Sequence, residues 1–262
     1  MRAYDPPPAY ARAVLRIIDA RTGDSTEAAP ARRGLTRVEA HASGLEPTAL
    51  RVLLVADLLV RAFELGGTPV WALLTGDQDQ AELRSAAGAL GIRPFEDGGD
   101  LGSGLGEAQV LHVAAGSAAA PGPGGVLVAV APVASVAPVG SGATTAPDLS
   151  DPGAFRLALL SHPRELPVLL DADGLDDARR TLAHWRASVA DWARRPSRPV
   201  PDEVRAALRG AWENDLDVPA VLDVLRRVET WPDLPDGARF ETYAYADRLL
   251  GLELTRDIGS LA

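Results

Sequence analysis

Apolar and polar positions alternate over residues 36–42, Thr-Arg-Val-Glu-Ala-His-Ala, with Val38, Ala40 and Ala42 on one side and Arg37, Glu39 and His41 on the other. A period of two predicts a half-buried strand. From Thr48 to Leu65 the period changes. Leu50, Leu54, Leu58 and Ala62 recur every fourth residue, which predicts a helix that carries Asp57 and Arg61 as an i,i+4 pair and ends at Gly66-Gly67. Val70-Trp71-Ala72-Leu73-Leu74 then reads as a buried strand, and Asp77 or Asp79 as the cap of a helix ending near Gly91. Strand, helix, strand, helix opens a parallel α/β sheet. Ahead of it, the short apolar run from Val14 to Asp19 is expected as an edge strand.

Residues 96–150 change character. They are rich in Gly, Ala, Pro and Ser, with two apolar islands, Val110 to Val113 and Val126 to Val130, that predict two more strands. From Asp151 onward the signals are helical. Asp151-Pro152 is an N-cap followed by proline at the first helical position. Leu175, Ala178, Leu182, Trp185, Val189 and Trp192 recur at spacings of three and four, one apolar stripe along one helix. Trp185 and Trp192 are therefore expected in the core, and Asp171-Ala-Asp-Gly-Leu-Asp-Asp177 as that helix's capping segment. Further helices begin near Pro201, Pro219 and Asp236, the last ending at Gly251.

Composition narrows the chemistry. The 262-residue chain has 36 acidic residues against 26 basic ones, a formal charge of -10, and neither lysine nor cysteine. Schiff-base chemistry, thiol nucleophiles, thiolate metal ligands and disulfides are excluded. An acidic chain is also a poor match for a nucleic-acid backbone. The most apolar run, Val126 to Val139, is broken by Pro132 and Pro138 and is shorter than the roughly 20 residues a membrane span needs. With no signal peptide read at the N-terminus, a cytoplasmic location is expected. Ser161-His162 has no acidic partner to complete a hydrolase triad, and the glycines from Gly98 to Gly106 do not match a dinucleotide-binding loop.

Several segments, taken in order, resemble cysteinyl-tRNA synthetase and its relative, the cysteine ligase of mycothiol synthesis. Asp151-Pro-Gly-Ala-Phe-Arg-Leu-Ala-Leu-Leu-Ser-His162 is similar to that family's D-P-x-x-L-R-x-x-L-L-S-x-H segment. Glu213-Asn-Asp-Leu-Asp-Val-Pro-Ala220 is similar to its D-D-L-N/D-T-P-A stretch. The helix from Thr48 resembles the one after the H-I-G-H signature, with Arg51, Asp57 and Arg61 in register. Thr75-Gly-Asp-Gln-Asp79 echoes T-D-V-D-D, and Ala89-Leu-Gly-Ile-Arg-Pro94 resembles A-L-x-V-x-P. The likeness covers roughly residues 14–95 and 150–259. It implies an α/β fold: a reduced Rossmann-like parallel-sheet domain over residues 1–150, followed by an α-helical bundle over residues 151–262.

The departures from that pattern shape the functional expectation. Where the family carries H-I-G-H, this chain has Glu46-Pro-Thr-Ala49, so a carboxylate stands where a histidine would hold phosphate. The K-M-S-K-S region corresponds to Gly140-Ser-Gly-Ala-Thr-Thr145, and no arginine lies between Arg93 and Arg156 to replace its lysines. His41 occupies about the position of the first zinc-binding cysteine, and the family's other ligands are not found. No zinc, metal or catalytic residue is therefore expected, and ATP and magnesium only if ligase activity persists. Residual small-ligand binding is expected at the sheet's C-terminal edge, near His41, Ser43, Thr48, Arg51, Thr75 and Asp77. His112 sits in an apolar island and is expected as a satisfied core histidine, with a place in the same cleft as the alternative reading. The leading expectation is a non-catalytic binding or regulatory protein, with a small molecule or a protein as its partner. Two alternatives stay open: an ATP-dependent amino acid (cysteine) ligase or cysteine-tRNA ligase activity retained with altered motifs, and a structural partner of a true synthetase that docks through an apolar patch on the bundle.

Overall fold

The computed structural model describes residues 14–30, 35–76, 80–98, 109–116, 124–135, 147 and 149–259. The alternating segment forms strand β3 (Thr36–His41), following a short antiparallel hairpin of β1 (Arg16–Ile18) and β2 (Ser25–Glu27). Helix α1 (Pro47–Leu65), β4 (Val70–Thr75), α2 (Gln80–Ala89) and β5 (Glu96–Asp97) follow, then β6 (Gln109–Ala115) and β7 (Val126–Val130). The five strands pair in the order β5-β4-β3-β6-β7, all parallel. The chain steps outward from β3 through β4 to β5, then returns to add β6 and β7 on the other side. This is the Rossmann-like order, with its topological switch between β3 and β6.

Helix α1 fills the centre. Fourteen of its 19 residues are buried, including Arg51 and Asp57. A helix apolar nearly all round is sandwiched between layers. It packs against β3, β4 and β6 on one side and against the C-terminal helical region on the other. Val38 and Ala40 of β3 meet it with no exposed surface. Glu39 and His41 project to the opposite face of the sheet and stay half-buried.

The C-terminal helical region contains α3 (Pro152–Leu160), α4 (Ala172–Trp192), α5 (Asp202–Glu213), α6 (Val218–Thr230) and α7 (Asp236–Leu250). Two short parallel strands, β8 (Val133–Ser135) and β9 (Val168–Leu170), join it to the end of the sheet. The predicted caps are in place: Asp151 accepts from the Ala154 amide and Asp171 from the Gly174 amide, each satisfying a helix-end N–H. Trp185 and Trp192 both meet Tyr243 edge-on, at ring separations of 5.9 and 5.1 Å. One continuous apolar core runs from Leu15 through the sheet and helices to Leu254.

Two expectations change. Residues 14–19 do not edge the main sheet: β1 pairs with β2, which sequence periodicity does not reveal because both strands are only three residues long. The β8–β9 pair escapes it for the same reason. The capping candidates Asp77 and Asp79, and Gly140 to Thr145, lie outside the described residues.

Asp57 is the hub between sheet and helices. Its carboxylate accepts from Arg61 on the same helix (2.7 Å), Arg93 in the α2–β5 loop (3.0 Å) and Arg156 on α3 (3.2 Å). Arg156 also donates to the carbonyls of Leu90 and Leu250. Burial alone would raise the Asp57 pKa, but Arg156 and Arg61, with hydrogen bonds from Arg61 and Arg93, hold it below the ordinary carboxylate value.

Candidate functional site

In open parallel sheets, ligands are met at the carboxyl ends of the strands beside the switch point. Here that point lies between β3 and β6. Glu39 and His41 are two residues apart on β3 and share one face, and β6 sets His112 alongside Glu39 in register. His41 Nε2 and His112 Nδ1 lie 3.1 Å apart. Glu39 Oε2 is 3.3 Å from His112 Nδ1 and 3.9 Å from His41 Nε2. The side chains of Glu39, His41 and His112 are 17%, 16% and 10% exposed, so the cluster is largely buried with a small part of each side chain at the surface. Arg37 reaches the other carboxylate oxygen, Oε1, at 3.6 Å.

Burial, followed by the charge of His112, pushes the His41 pKa down to about 4. His112 is also lowered: burial acts first, Glu39 opposes it, and Arg21 and Arg37 add to it. Both shifts favour the neutral ring, the form in which imidazole binds a cation. Among the described residues, Glu39, His41 and His112 form a group that could hold a metal ion, their donor atoms all lying within 4.8 Å of one another.

The other predicted site residues take different roles. Ser43 is exposed in the loop after β3, and Thr75 is exposed at the end of β4. These two strand ends are close because residue 76 is glycine. A Cβ there would stand 2.0 Å from the Ala42 carbonyl oxygen and 2.8 Å from Ser43 Oγ. Thr48 Oγ1 accepts from the Val133 amide at 3.0 Å, tying α1 to β8. Arg51 is held by backbone carbonyls. It is 1% exposed, and its guanidinium donates to the carbonyls of Ala131, Leu166 and Pro163 at 2.9, 2.8 and 2.6 Å. Burial pushes its pKa down to about 10, with Glu165 opposing. Asp77 lies outside the described residues.

The start of α1 does not fit a triphosphate. Glu46 is the N-cap residue, exposed, and makes no side-chain capping hydrogen bond. A helix N-terminus attracts anions through its free amides and dipole, but a carboxylate at that point opposes them. Arg51, the arginine nearest this end, is committed to carbonyls. Sequence reasoning singled out His41 and preferred a core role for His112, which the structure sets beside His41. It did not single out Glu39, whose alignment with His112 depends on strand register.

Fold and sequence together define the class: an α/β chain similar to cysteine ligases. No family model matches it. A curated relative from Streptosporangium roseum, L-cysteine:1D-myo-inositol 2-amino-2-deoxy-alpha-D-glucopyranoside ligase, is 37% identical over 112 residues, 40% of this chain and 26% of the relative. The protein of the same name from Acidothermus cellulolyticus is 38% identical over 106 residues, 40% of this chain and 25% of the relative. That from Streptomyces avermitilis is 34% identical over 111 residues, with the same coverage of 40% and 25%. The chain thus spans about a quarter of the length of the curated relatives it matches. The likeness read from the residues is borne out by these relatives.

Proposed function

We propose that this chain is a non-catalytic relative of the cysteine ligases, a cytoplasmic binding or regulatory protein that keeps the scaffold without activating an amino acid. One observation carries the reading: all three Arg51 hydrogen bonds go to backbone carbonyls, while Glu46 stands at the helix start where a triphosphate would sit. Amino-acid activation needs cationic groups on the phosphates where charge develops. The resembling segments also serve the fold. Asp151 caps α3, and Arg156 joins Asp57. Asp217 caps α6, and Asp215 accepts from the Ile18 amide and from Arg164. No helix among the described residues is long and apolar enough to cross a membrane. The absence of cysteine leaves the fold independent of an oxidising compartment.

The relatives' names favour one competing reading, a retained ATP-dependent ligase. Two measurements on the full chain separate the readings. Cysteine-dependent ATP–pyrophosphate exchange is expected at the blank level. Millimolar ATP with magnesium is expected to leave the melting temperature unchanged, whereas a ligand at 100 times its Kd stabilises by about 2.7 kcal/mol. Exchange above blank overturns the proposal, and a shift of several degrees overturns its premise that the helix start rejects a triphosphate. The subunit reading finds less support. The large apolar side chains exposed among the described residues, Val14, Ile18, Leu166, Leu169 and Ile258, all lie outside the C-terminal helices.

A further inference from the structure

We propose that Glu39, His41 and His112 form a binding site for a divalent first-row transition cation of the zinc type, on the face of the sheet opposite α1 at the β3–β6 switch. The inference rests on geometry alone and stands whether or not the chain activates an amino acid. The three donor atoms are separated by 3.1, 3.3 and 3.9 Å. Three points so spaced lie on a circle of radius about 2.0 Å, which is the distance zinc keeps from imidazole nitrogen and carboxylate oxygen. A cation near the centre of that triangle lies within bonding distance of all three donor atoms. Two imidazoles and one carboxylate suit zinc, cobalt or iron far better than calcium or magnesium, which prefer oxygen.

Proton chemistry satisfies the cluster less well. His112 Nδ1 faces both the His41 ring and the Glu39 carboxylate. One nitrogen cannot donate to one neighbour while accepting from the other, so a single proton there serves both only as a divided bond. A cation satisfies the three lone pairs together. Arg37, on Oε1 of Glu39, fixes the carboxylate with Oε2 turned to the rings, the kind of outer contact that orients metal ligands. Arg37 is also a nearby positive charge, which opposes the ion and moderates affinity. The three residues come from two strands of the central sheet, so rigid elements set the ligand spacing and no loop need close. With three protein ligands and partial exposure, at least one coordination position remains for water or a small ligand.

The test uses the full chain stripped with chelator and then titrated with zinc, with bound metal counted after dialysis. Without cysteine, no thiol competes for the ion. Close to one zinc per chain is expected, and cobalt is expected to give the visible bands of a four- or five-coordinate nitrogen–oxygen site. His41→Ala and the isosteric Glu39→Gln are each expected to weaken zinc binding at least tenfold. Their circular dichroism and melting temperature without metal should stay at the parent values. Glu39→Gln keeps the strand and its volume, so it tests the site even if His41→Ala fails to fold. Substoichiometric binding by the parent chain overturns the assignment. Stoichiometric binding that survives both substitutions overturns it too, because the ion then sits elsewhere, for example on the aspartates around Asp171 and Asp177.

Discussion

At the scale of single residues, the polar groups buried in this molecule act as joints. Arg51→Lys removes a planar donor that serves three carbonyls, and an ammonium cannot reproduce that fork. We expect a loss of about 2–3 kcal/mol in urea unfolding. ATP with magnesium should leave the melting temperature of parent and variant alike unchanged, and a nucleotide-induced shift present in the parent and lost in the variant would show that the guanidinium serves phosphate. Asp57→Asn leaves Arg156 charged and buried without its counter-ion, and should cost about 3–5 kcal/mol by the same measurement. The pH sign follows from the depressed Asp57 pKa. The unfolded carboxylate takes up its proton first as acid is added, so the stabilisation is complete well above 3.8 and is lost as pH falls below it. Acid titrations of the parent and Asp57→Asn chains should therefore converge at low pH. The sequence announced the Asp57–Arg61 pair by spacing. It could not announce Arg93 or Arg156, which arrive from distant segments, and it assigned Arg51 to a ligand because the receiving carbonyls belong to residues 80 or more positions away.

At the scale of elements, long periodic segments were legible and short ones were not. The stripe on α4 and the alternation in β3 state their own burial, so their limits in the fold fall within a few residues of those predicted. Strands of three residues, such as β1 and β8, contain less than two periods and gain their identity from a partner. The candidate site divides in the same way. His41 shows in the sequence as a polar position at a strand end, while the bond to His112 exists only once β6 is laid beside β3. One helix end illustrates a local signal with a distant cause. Gly251 closes α7 at φ 60°, and a Cβ there would also stand 2.8 Å from Arg156 and 3.0 Å from Arg61. Gly251→Ala is expected to lower stability by about 1–2 kcal/mol from the backbone alone. If calorimetry shows a loss near zero, the tight approach to the two guanidiniums is being relieved by side-chain movement and the backbone cost is smaller than argued.

At the scale of the whole molecule, α1 binds the two halves through a face of apolar residues on each side. We expect one cooperative unfolding transition, with far-ultraviolet dichroism and tryptophan emission changing together. A chain cut after residue 150 should fail to give a sharp melt, because α1 would present its helix-facing side to water. A stable, sharply melting 1–150 fragment would contradict this. The tryptophans are distributed usefully for such work. Trp185, Trp192, Trp212 and Trp231 belong to the helical region, and Trp71 alone belongs to the sheet. Strand register places Trp71 beside Arg37 and on the same face as Glu39 and His41. The molecule thus carries its own lamp on the histidines' face, roughly 12–14 Å from them by strand rise and spacing. An open-shell ion such as cobalt or copper arriving there should dim that one indole while closed-shell zinc leaves it bright, so a chain with the other four tryptophans changed to phenylalanine would become an optical gauge of occupancy.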